Sequence, residues 1–483
     1  MPPAPRWWSL SPRATGAASL GISSWSYCLP GVAGAMAYLA ALRLPPRARL
    51  GLSATACPAT LALLQAGPLC GITLVLLSRR LSDLEFRRQV ASSALDGLLT
   101  DPEHPAVALA SAVLPSAFAD AAWDAGLLDP LAPEQAALVL FTSGTSGQPK
   151  AASLSLRALT AAAAAGCTRL GVDAATTWLA CLPCDHIGGA AMAYRAAVSG
   201  HRLILCERFH TELVAMLLPQ AQGVSLVATM LHRLCEQRRD QPWPVGLRVL
   251  LLGGGPLSDR LAARAAALGC EPCQSYGLTE CCSQVCTTAP QETEASRGSA
   301  GRPLAGMEVQ VCRADGGRSR DGEVGSIAVR GPQLFSGYEE HGVVRHPQDC
   351  TAWFATGDLG RLGSDGRLTV ECRRDDLIIS GGENVYPREV EAALERHPGV
   401  AEVAVCALPD EEWGQIVAAV VVLQGVARGG GASLDTIQSW AASQLGPHQR
   451  PRRWQLASAL PRSTLGKLLR TQLPGCFPET AAL

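Results

Sequence analysis

The sequence has no surplus of charge of either sign. In 483 residues, 41 Lys and Arg stand against 42 Asp and Glu, a net charge of −1. Binding to nucleic acid draws on a basic surplus and the counter-ions it releases, so a general polyanion partner is not expected. Small anionic ligands need only local charge and stay open. There is also no unbroken apolar run of the about 20 residues that a membrane-spanning helix needs. The longest apolar stretch, 61–77, is interrupted by Gln65, Gly67, Pro68 and Gly71. It reads as a helix followed by a buried strand, so no membrane span is expected. The N-terminus carries Arg6 and Arg13 without a compact apolar segment. It reads as a loose terminus rather than a secretory signal. Internal repeats and low-complexity tracts are missing, although Gly (48) and Pro (33) are common at apparent turns. With 48% hydrophobic and 17% charged residues, there is ample material for sizeable cores, which excludes global disorder.

Cysteine, by contrast, is abundant, with 18 residues. Many, such as Cys57, Cys70, Cys206 and Cys406, lie in apolar runs where Cys acts as a small hydrophobe. Disulfide frameworks belong to small secreted chains, so a reduced cytoplasmic protein is expected. Cys181/Cys184 and Cys270/Cys273 have the spacing of a four-thiolate zinc site. Each pair straddles an apparent strand end, and coincidence in a Cys-rich chain is the favoured reading. A pairing of Cys281 with Cys282 stays open.

Residues 45–270 alternate apolar runs with Ala/Leu-rich stretches. Strands are expected at Ala137–Phe141, Trp178–Leu182, Arg202–Cys206, Ser225–Ala228 and Arg248–Leu252. A helix is expected over Leu156–Ala165 after Ser155, an N-cap residue. Such alternation predicts α/β layers with largely parallel sheets. From Gly306 the texture changes to short strands between Gly/Asp turns (MEVQVC, GEVGSIAVRG, GRLTVEC), which predicts a β subdomain. After residue 374 a third texture begins. The strand LIIS, a Gly-rich turn, a helix opening near Pro387, and the strands AEVAVCAL and IVAAVVVL predict a small α+β domain. The expected architecture is therefore α/β: a large N-terminal domain of layered α/β sheets plus a β subdomain over 1–374, and a smaller α+β C-terminal domain over 375–483.

The strongest chemical signal is 141–150, FTSGTSGQPK. An apolar strand runs into Thr142, Ser143, Gly144, Thr145, Ser146 and Gly147, closed by Lys150. Backbone N–H groups, hydroxyls and a cation suit a polyphosphate, and Gly lets the backbone approach it closely. The pattern is not the P-loop GxxxxGK[ST], because Lys150 is followed by Ala151 and the glycines are misplaced. A flexible surface loop is the bland alternative, and the sharp embedding between FT and PK argues against it.

This segment resembles the phosphate loop of the acyl-adenylate-forming enzymes, the family of acyl-CoA synthetases and adenylation domains. Further motifs follow in the family's order: QSYGLTE at 274–280, GSIAVRGP at 325–332, FATGDL at 354–359, RRDDLIISGGENVYP at 373–387 and PRSTLGK at 461–467. The resemblance covers about residues 25–475. It implies ATP, Mg²⁺ and CoA as cofactor and co-substrates, and a C-terminal domain that moves as a lid.

It also implies roles. Glu280 follows the YGLT turn of Tyr276 and Gly277, and would hold Mg²⁺, a hard cation that favours oxygen ligands. Thr279 would bond the α-phosphate. Asp358 would accept both ribose hydroxyls, supported by Arg373. Gly253 and Gly254, after a strand, resemble the segment along the adenine; a plain strand-to-helix turn is the alternative. Lys467 is the catalytic lysine. Two anions must meet when a carboxylate attacks the α-phosphorus, and a positioned cation stabilises the charge that grows. Asp375 resembles the hinge about which the small domain rotates between half-reactions, and 381–384 would line the thiol path. Cys372 stands where the family usually has Gly, which would stiffen the approach to the hinge.

The acid is argued from WLACLPCDHIGG at 178–189 and from Arg195, nine residues beyond His186. The helix there is apolar around one arginine. An unpaired buried charge is costly, and a guanidinium fork suits a second carboxylate on the substrate. A surface arginine with a buried stem is the alternative. The His186…Tyr194-Arg195 spacing resembles one branch of the family, the ligases that activate o-succinylbenzoate for menaquinone and phylloquinone biosynthesis. His186 and Arg195 are then the acid-binding residues. The alternatives are an acyl- or aryl-CoA synthetase acting on a monocarboxylate, an enzyme that loads a carrier protein, and a catalytically silent relative. The short stretch after Lys467 argues against a fused carrier. The oligomeric state stays open, a homo-oligomer included.

Overall fold

Residues 7–11, 13–14, 27–104, 107–119, 121–122, 124–142, 149–292, 296–345, 352–424, 433–463, 466 and 468–478 are described in the computed structural model of the chain. Two eight-stranded sheets carry the N-terminal part. In the first, the parallel strands Arg49–Ser53, Thr73–Leu76, Gly97–Thr100 and Ala136–Thr142 lie beside the antiparallel strands Lys150–Ser155 and Gly337–Glu340. In the second, Arg202–Cys206, Thr177–Ala180, Gly223–Leu226, Val249–Leu252 and Pro272–Tyr276 run parallel.

Alternation along the strands explains the layering. Leu203 and Leu205 face one core, while Ile204 and Cys206 face another. Side chains of successive strand residues point to opposite faces, so a strand buried on both faces reads as a continuous apolar run. The first core packs the helices Pro58–Leu69, Leu156–Leu170 and Ile187–Ser199 between the two sheets. The second covers the outer face of the second sheet with Thr211–Leu217, Ala228–Arg238 and Asp259–Ala267.

The apolar stretch 61–77 divides into helix Pro58–Leu69 and the buried strand Thr73–Leu76. Among the described residues no helix is long and apolar enough to cross a membrane. Ser155 caps the next helix by accepting a hydrogen bond from the Ala158 N–H at 3.1 Å. That helix runs past the expected Ala165 to Leu170, because Cys167 and Leu170 stay buried, and it stops at Gly171 in the left-handed region. The expectation of a loose N-terminus is corrected. Trp7–Leu10 is a strand paired antiparallel with Arg202–Cys206, which closes an edge of the second sheet. Its register is a long-range pairing that no local pattern announces.

The β subdomain is a four-stranded antiparallel sheet of Glu308–Cys312, Gly325–Arg330, Phe354–Leu362 and Leu368–Arg373. The chain leaves this sheet at Arg373 and enters another at Ile378. That last sheet pairs Val400–Asp410 with Gly414–Leu423 and packs the helices Pro387–Glu395 and Leu434–Gln444.

Arginines help tie the C-terminal part to the N-terminal part. Arg260 donates to the Val400 carbonyl at 2.7 Å and to Gln424 at 2.9 Å; Arg388 donates to the Leu257 carbonyl at 2.8 Å. Glu395 lies 3.5 Å from Arg388 in this contact. Burial raises its carboxyl to about 7, opposed by Arg388 and Arg260 and reinforced by Glu391 and Asp259. A carboxyl whose folded value lies above its unfolded value contributes stability below the unfolded value. That contribution is lost as pH rises through about 7. Thermal midpoints are therefore expected to fall between about pH 5 and about pH 8, and Glu395→Gln to flatten that fall. Parallel curves for the two proteins would overturn this.

Candidate active site

The zinc reading of the CxxC pairs is overturned by their placement. Cys181 and Cys270 lie in the outer core of the second sheet, whereas Cys184 and Cys273 lie in the core between the sheets. Burial pushes the thiols up, to about 11 for Cys270 and about 12 for Cys273. No group of three or more metal-binding side chains occurs among the described residues. Cys281 and Cys282 are free and buried, not bridged to each other.

The YGLTE turn leaves strand Pro272–Tyr276 and opens into the short helix Thr279–Cys281. Its glycine is required by space: a β-carbon on Gly277 would lie 1.5 Å from the Ser283 carbonyl oxygen. This fold-back returns the chain to Cys286–Thr287, paired antiparallel with Ser275 and Tyr276. Tyr276 and Glu280 thus leave one tight loop in fixed directions.

Around them two groups of polar side chains gather. In the first, the Tyr276 hydroxyl donates to Asp358 Oδ2 at 2.5 Å, and Arg373 Nε lies 2.8 Å from Asp358 Oδ1. Asp358 and Arg373 face each other across the pairing of Phe354–Leu362 with Leu368–Arg373. Burial and the Asp358 charge hold the Tyr276 phenol well above its usual value, so it stays a donor. In the second, the Tyr338 hydroxyl donates to Glu280 Oε1 at 2.7 Å, and Lys150 Nζ sits 5.2 Å from the centre of the Tyr338 ring. Burial and Glu280 raise the Tyr338 phenol, while Arg373 lowers it, so Arg373 lies within electrostatic reach of both groups. Tyr338 was missed in the sequence. It lies in no motif read there, and only the pairing of Gly337–Glu340 with Lys150–Ser155 brings it in.

Thr142 ends its strand with its hydroxyl 3.4 Å from the Lys150 carbonyl, which it donates to. Ser143, Gly144, Thr145, Ser146 and Gly147 lie outside the described residues, as does Lys467. The neighbour of Lys467 is placed: a β-carbon on Gly466 would lie 2.1 Å from Thr229 Oγ1, so Gly466 rests on helix Ala228–Arg238. The same turn into that helix carries Val227, 3.4 Å from a β-carbon built on Gly254. Gly254 has φ +79°, and β-carbons on Gly253 and Gly255 would meet nothing, so this segment presents bare backbone to open space. Gly466 and Gly254 therefore meet the same strand-to-helix turn. Asp375 is exposed in the turn Arg374–Asp376. Cys372 pairs with Leu359, and burial raises its thiol to about 12.

His186 is the N-cap of helix Ile187–Ser199 and half-buried; burial lowers its pKa, which favours the neutral ring. Arg195 lies roughly 14 Å further along that helix. It is 6% exposed, which corrects the alternative of a surface arginine. Its guanidinium donates to the Gln284 side-chain oxygen, and no carboxylate partner occurs among the described residues. Gly166 makes the room, since a β-carbon there would lie 2.8 Å from that oxygen. Burial and the nearby guanidinium pull His201 down to about 3, so it adds no second charge. Gln284, another residue the sequence did not single out, belongs to the loop that carries Glu280. His186 and Arg195 thus share a helix but not a contact.

Comparison with known proteins meets this arrangement at every level. Residues 33–339 match the AMP-binding enzyme family, and 389–467 match the AMP-binding enzyme C-terminal domain. The 2-succinylbenzoate–CoA ligase of Bacillus cereus is 33% identical over 412 residues, covering 83% of each chain. The o-succinylbenzoate CoA synthetase of Bacillus subtilis, solved with its acyl-adenylate intermediate, superposes with a TM-score of 0.78 at 30% identity, over 92% of this chain and 91% of that one. The same synthetase solved with ATP and magnesium ion gives a TM-score of 0.78 at 30% identity, over 92% and 93%. A family that spans most of the sheet architecture, with relatives this similar over this length, leaves one conclusion: the chain belongs to the AMP-binding enzyme family.

Proposed function

We propose that the chain is an ATP-dependent acid–CoA ligase and that its acid is 2-succinylbenzoate, in menaquinone or phylloquinone biosynthesis. In the first half-reaction a carboxylate oxygen attacks the α-phosphorus and pyrophosphate leaves. In the second, the CoA sulfur attacks the acyl carbonyl and AMP leaves. Asp358 accepts the ribose hydroxyls, held in place by Arg373 and by the Tyr276 hydroxyl. The 142–147 loop and Lys150 cradle the phosphates, Thr279 bonds the α-phosphate, Gly277 sets the turn, and Gly253 and Gly254 flank the adenine. Glu280 supplies a carboxylate oxygen to Mg²⁺, which when bound screens the phosphate charge; a hard oxygen donor beside a hydroxyl fits that cation. Lys467 stabilises the charge that builds during attack. The division at 374/375 makes Asp375 the hinge, and the enzyme works in the cytoplasm.

The observation that carries the choice of acid is Arg195, a buried guanidinium with a neutral acceptor and no carboxylate partner among the described residues. A substrate with a second carboxylate supplies the missing countercharge. His186, neutral and at the mouth of the same helix, is left to face the aromatic body of the acid. The test is thioester formation with o-succinylbenzoate, benzoate, 4-coumarate, octanoate and palmitate. A strong preference for o-succinylbenzoate is expected. Arg195→Ala is expected to raise KM for that acid by roughly 10–100-fold, the loss of a charge-assisted hydrogen bond, with a smaller effect on KM for ATP. Preference for a monocarboxylate, with indifference to Arg195→Ala, would overturn the assignment of the acid.

A further inference from the structure

We infer that Tyr338 is a positioning residue for adenylation, its hydroxyl fixing the rotation of the Glu280 carboxylate so that one oxygen is held and the other is presented to the nucleotide's metal. The inference rests on the reading of Glu280 as a Mg²⁺ ligand. The Tyr338 hydroxyl donates to Glu280 Oε1 at 2.7 Å, which leaves Oε2 for another partner. The same short segment also holds the backbone, because the Phe335 N–H donates to the Glu280 carbonyl at 2.8 Å. Glu280 is thus clamped at both ends by residues 335–338.

The clamp is itself rigid. Phe335 packs edge-on against Tyr338 and Phe354, with ring centres 4.9 and 5.2 Å away. Tyr338 stands opposite Ala152 in the antiparallel pair with Lys150–Ser155. The next residue, Glu339, forms an ion pair with Arg49 at 2.6 Å, and its side chain is only 3% exposed. The strand that closes the phosphate loop is therefore tied to the carboxylate through one ring, whose face also lies 5.2 Å from Lys150 Nζ. The physical need is plain. The terminal torsion of a glutamate is broad and soft, whereas Mg²⁺ demands near-octahedral geometry. A carboxylate with its rotation fixed in advance meets that demand at lower entropic cost, and partners of metal ligands typically change affinity by about 10–100-fold.

The test uses the full chain. Tyr338→Phe keeps the ring, its packing and its contact with Lys150, and removes only the hydroxyl. It is expected to raise the half-saturating Mg²⁺ in ATP–pyrophosphate exchange by about tenfold. Saturating Mg²⁺ should restore kcat, and KM for the acid should stay unchanged. Apart from turnover, Mn²⁺ titrated in the presence of ATP and followed by electron paramagnetic resonance should bind more weakly by a similar factor. Glu280→Gln is run beside it. If Glu280→Gln weakens Mn²⁺ binding and Tyr338→Phe does not, the positioning role is overturned while the reading of Glu280 stands. If neither variant changes it, both fall. A loss of kcat in Tyr338→Phe that saturating Mg²⁺ cannot restore would mark a merely structural role and also overturn the inference.

Discussion

Lys467→Ala is expected to lower acyl-adenylate formation by roughly 10²–10³-fold, the usual loss when one positioned electrostatic donor is removed from a transition state. Thioester formation from preformed acyl-adenylate is expected to keep most of its rate, because on the hinge reading of Asp375 the small domain has by then turned and withdrawn Lys467 from the α-phosphate. The two half-reactions are measured separately, by pyrophosphate release and by thioester formation from synthetic adenylate plus CoA. Equal losses in both would remove the role assigned to Lys467. The sequence adds an argument: Lys150 and Lys467 are its only two lysines, and every other basic Lys/Arg position is arginine. A chain that uses the guanidinium elsewhere keeps an ammonium in the two motifs proposed to approach the phosphates. The ammonium is a compact point charge on a flexible stem, while the guanidinium is a wide planar fork. Lys467→Arg is therefore expected to rescue only part of the loss. The seat of the loop supports this, since Gly466 packs directly on Thr229 with φ +78° and leaves no space for a side chain.

Gly277→Ala is expected to be the most damaging added methyl group among the described glycines. The added β-carbon would lie 1.5 Å from the Ser283 carbonyl oxygen and 2.9 Å from the Gln284 α-carbon. These are backbone atoms, which a rotamer change cannot move. Either the loop 277–285 opens or the strand pair Pro272–Tyr276 with Cys286–Thr287 shifts. Overpacking of a tight site typically costs about 1–3 kcal/mol, occasionally more, and this contact is closer than any repacking of side chains resolves. Loss of most soluble protein, or a folded protein whose adenylation falls by more than about tenfold, is expected, since Thr279, Glu280 and Gln284 all ride on this loop. Yield, thermal unfolding and ATP–pyrophosphate exchange on the same preparation distinguish the two. An active variant with an unchanged midpoint would show that the loop relaxes freely.

Much of this site is legible before folding because its chemistry is local. FTSGTSGQPK, YGLTE, TGDL and PRSTLGK each hold their functional groups within a few residues, and backbone turns of that length are set by the Gly, Ser, Thr and Pro they contain. The pairing of Asp358 with Arg373 was expected, and the register between their strands delivers it at 2.8 Å. Strand positions were likewise readable, to within a few residues, from runs buried on both faces. Other features belong to no local pattern. Tyr338 reaches Glu280 across a sequence separation of 58 residues, and Gln284 reaches Arg195 across 89. Trp7–Leu10 reads as a loose end until Arg202–Cys206 offers it an open edge.

The cysteines mark the boundary between the two kinds of information. Their spacing alone allows a zinc site, and only the sheet decides against it, by sending the two members of each pair to opposite faces and into different cores. Sequence by itself determined the family of this protein and the motifs from which its reaction machinery is proposed, because motifs concentrate chemical groups where short turns can aim them. The tertiary structure alone decided what braces that machinery: the Tyr338 hydroxyl on Glu280, the buried Arg195 on Gln284, and the Gly466 seat on Thr229. The physical reason is that a brace works by contact between distant segments, and such contacts exist only once burial of apolar surface has brought those segments together.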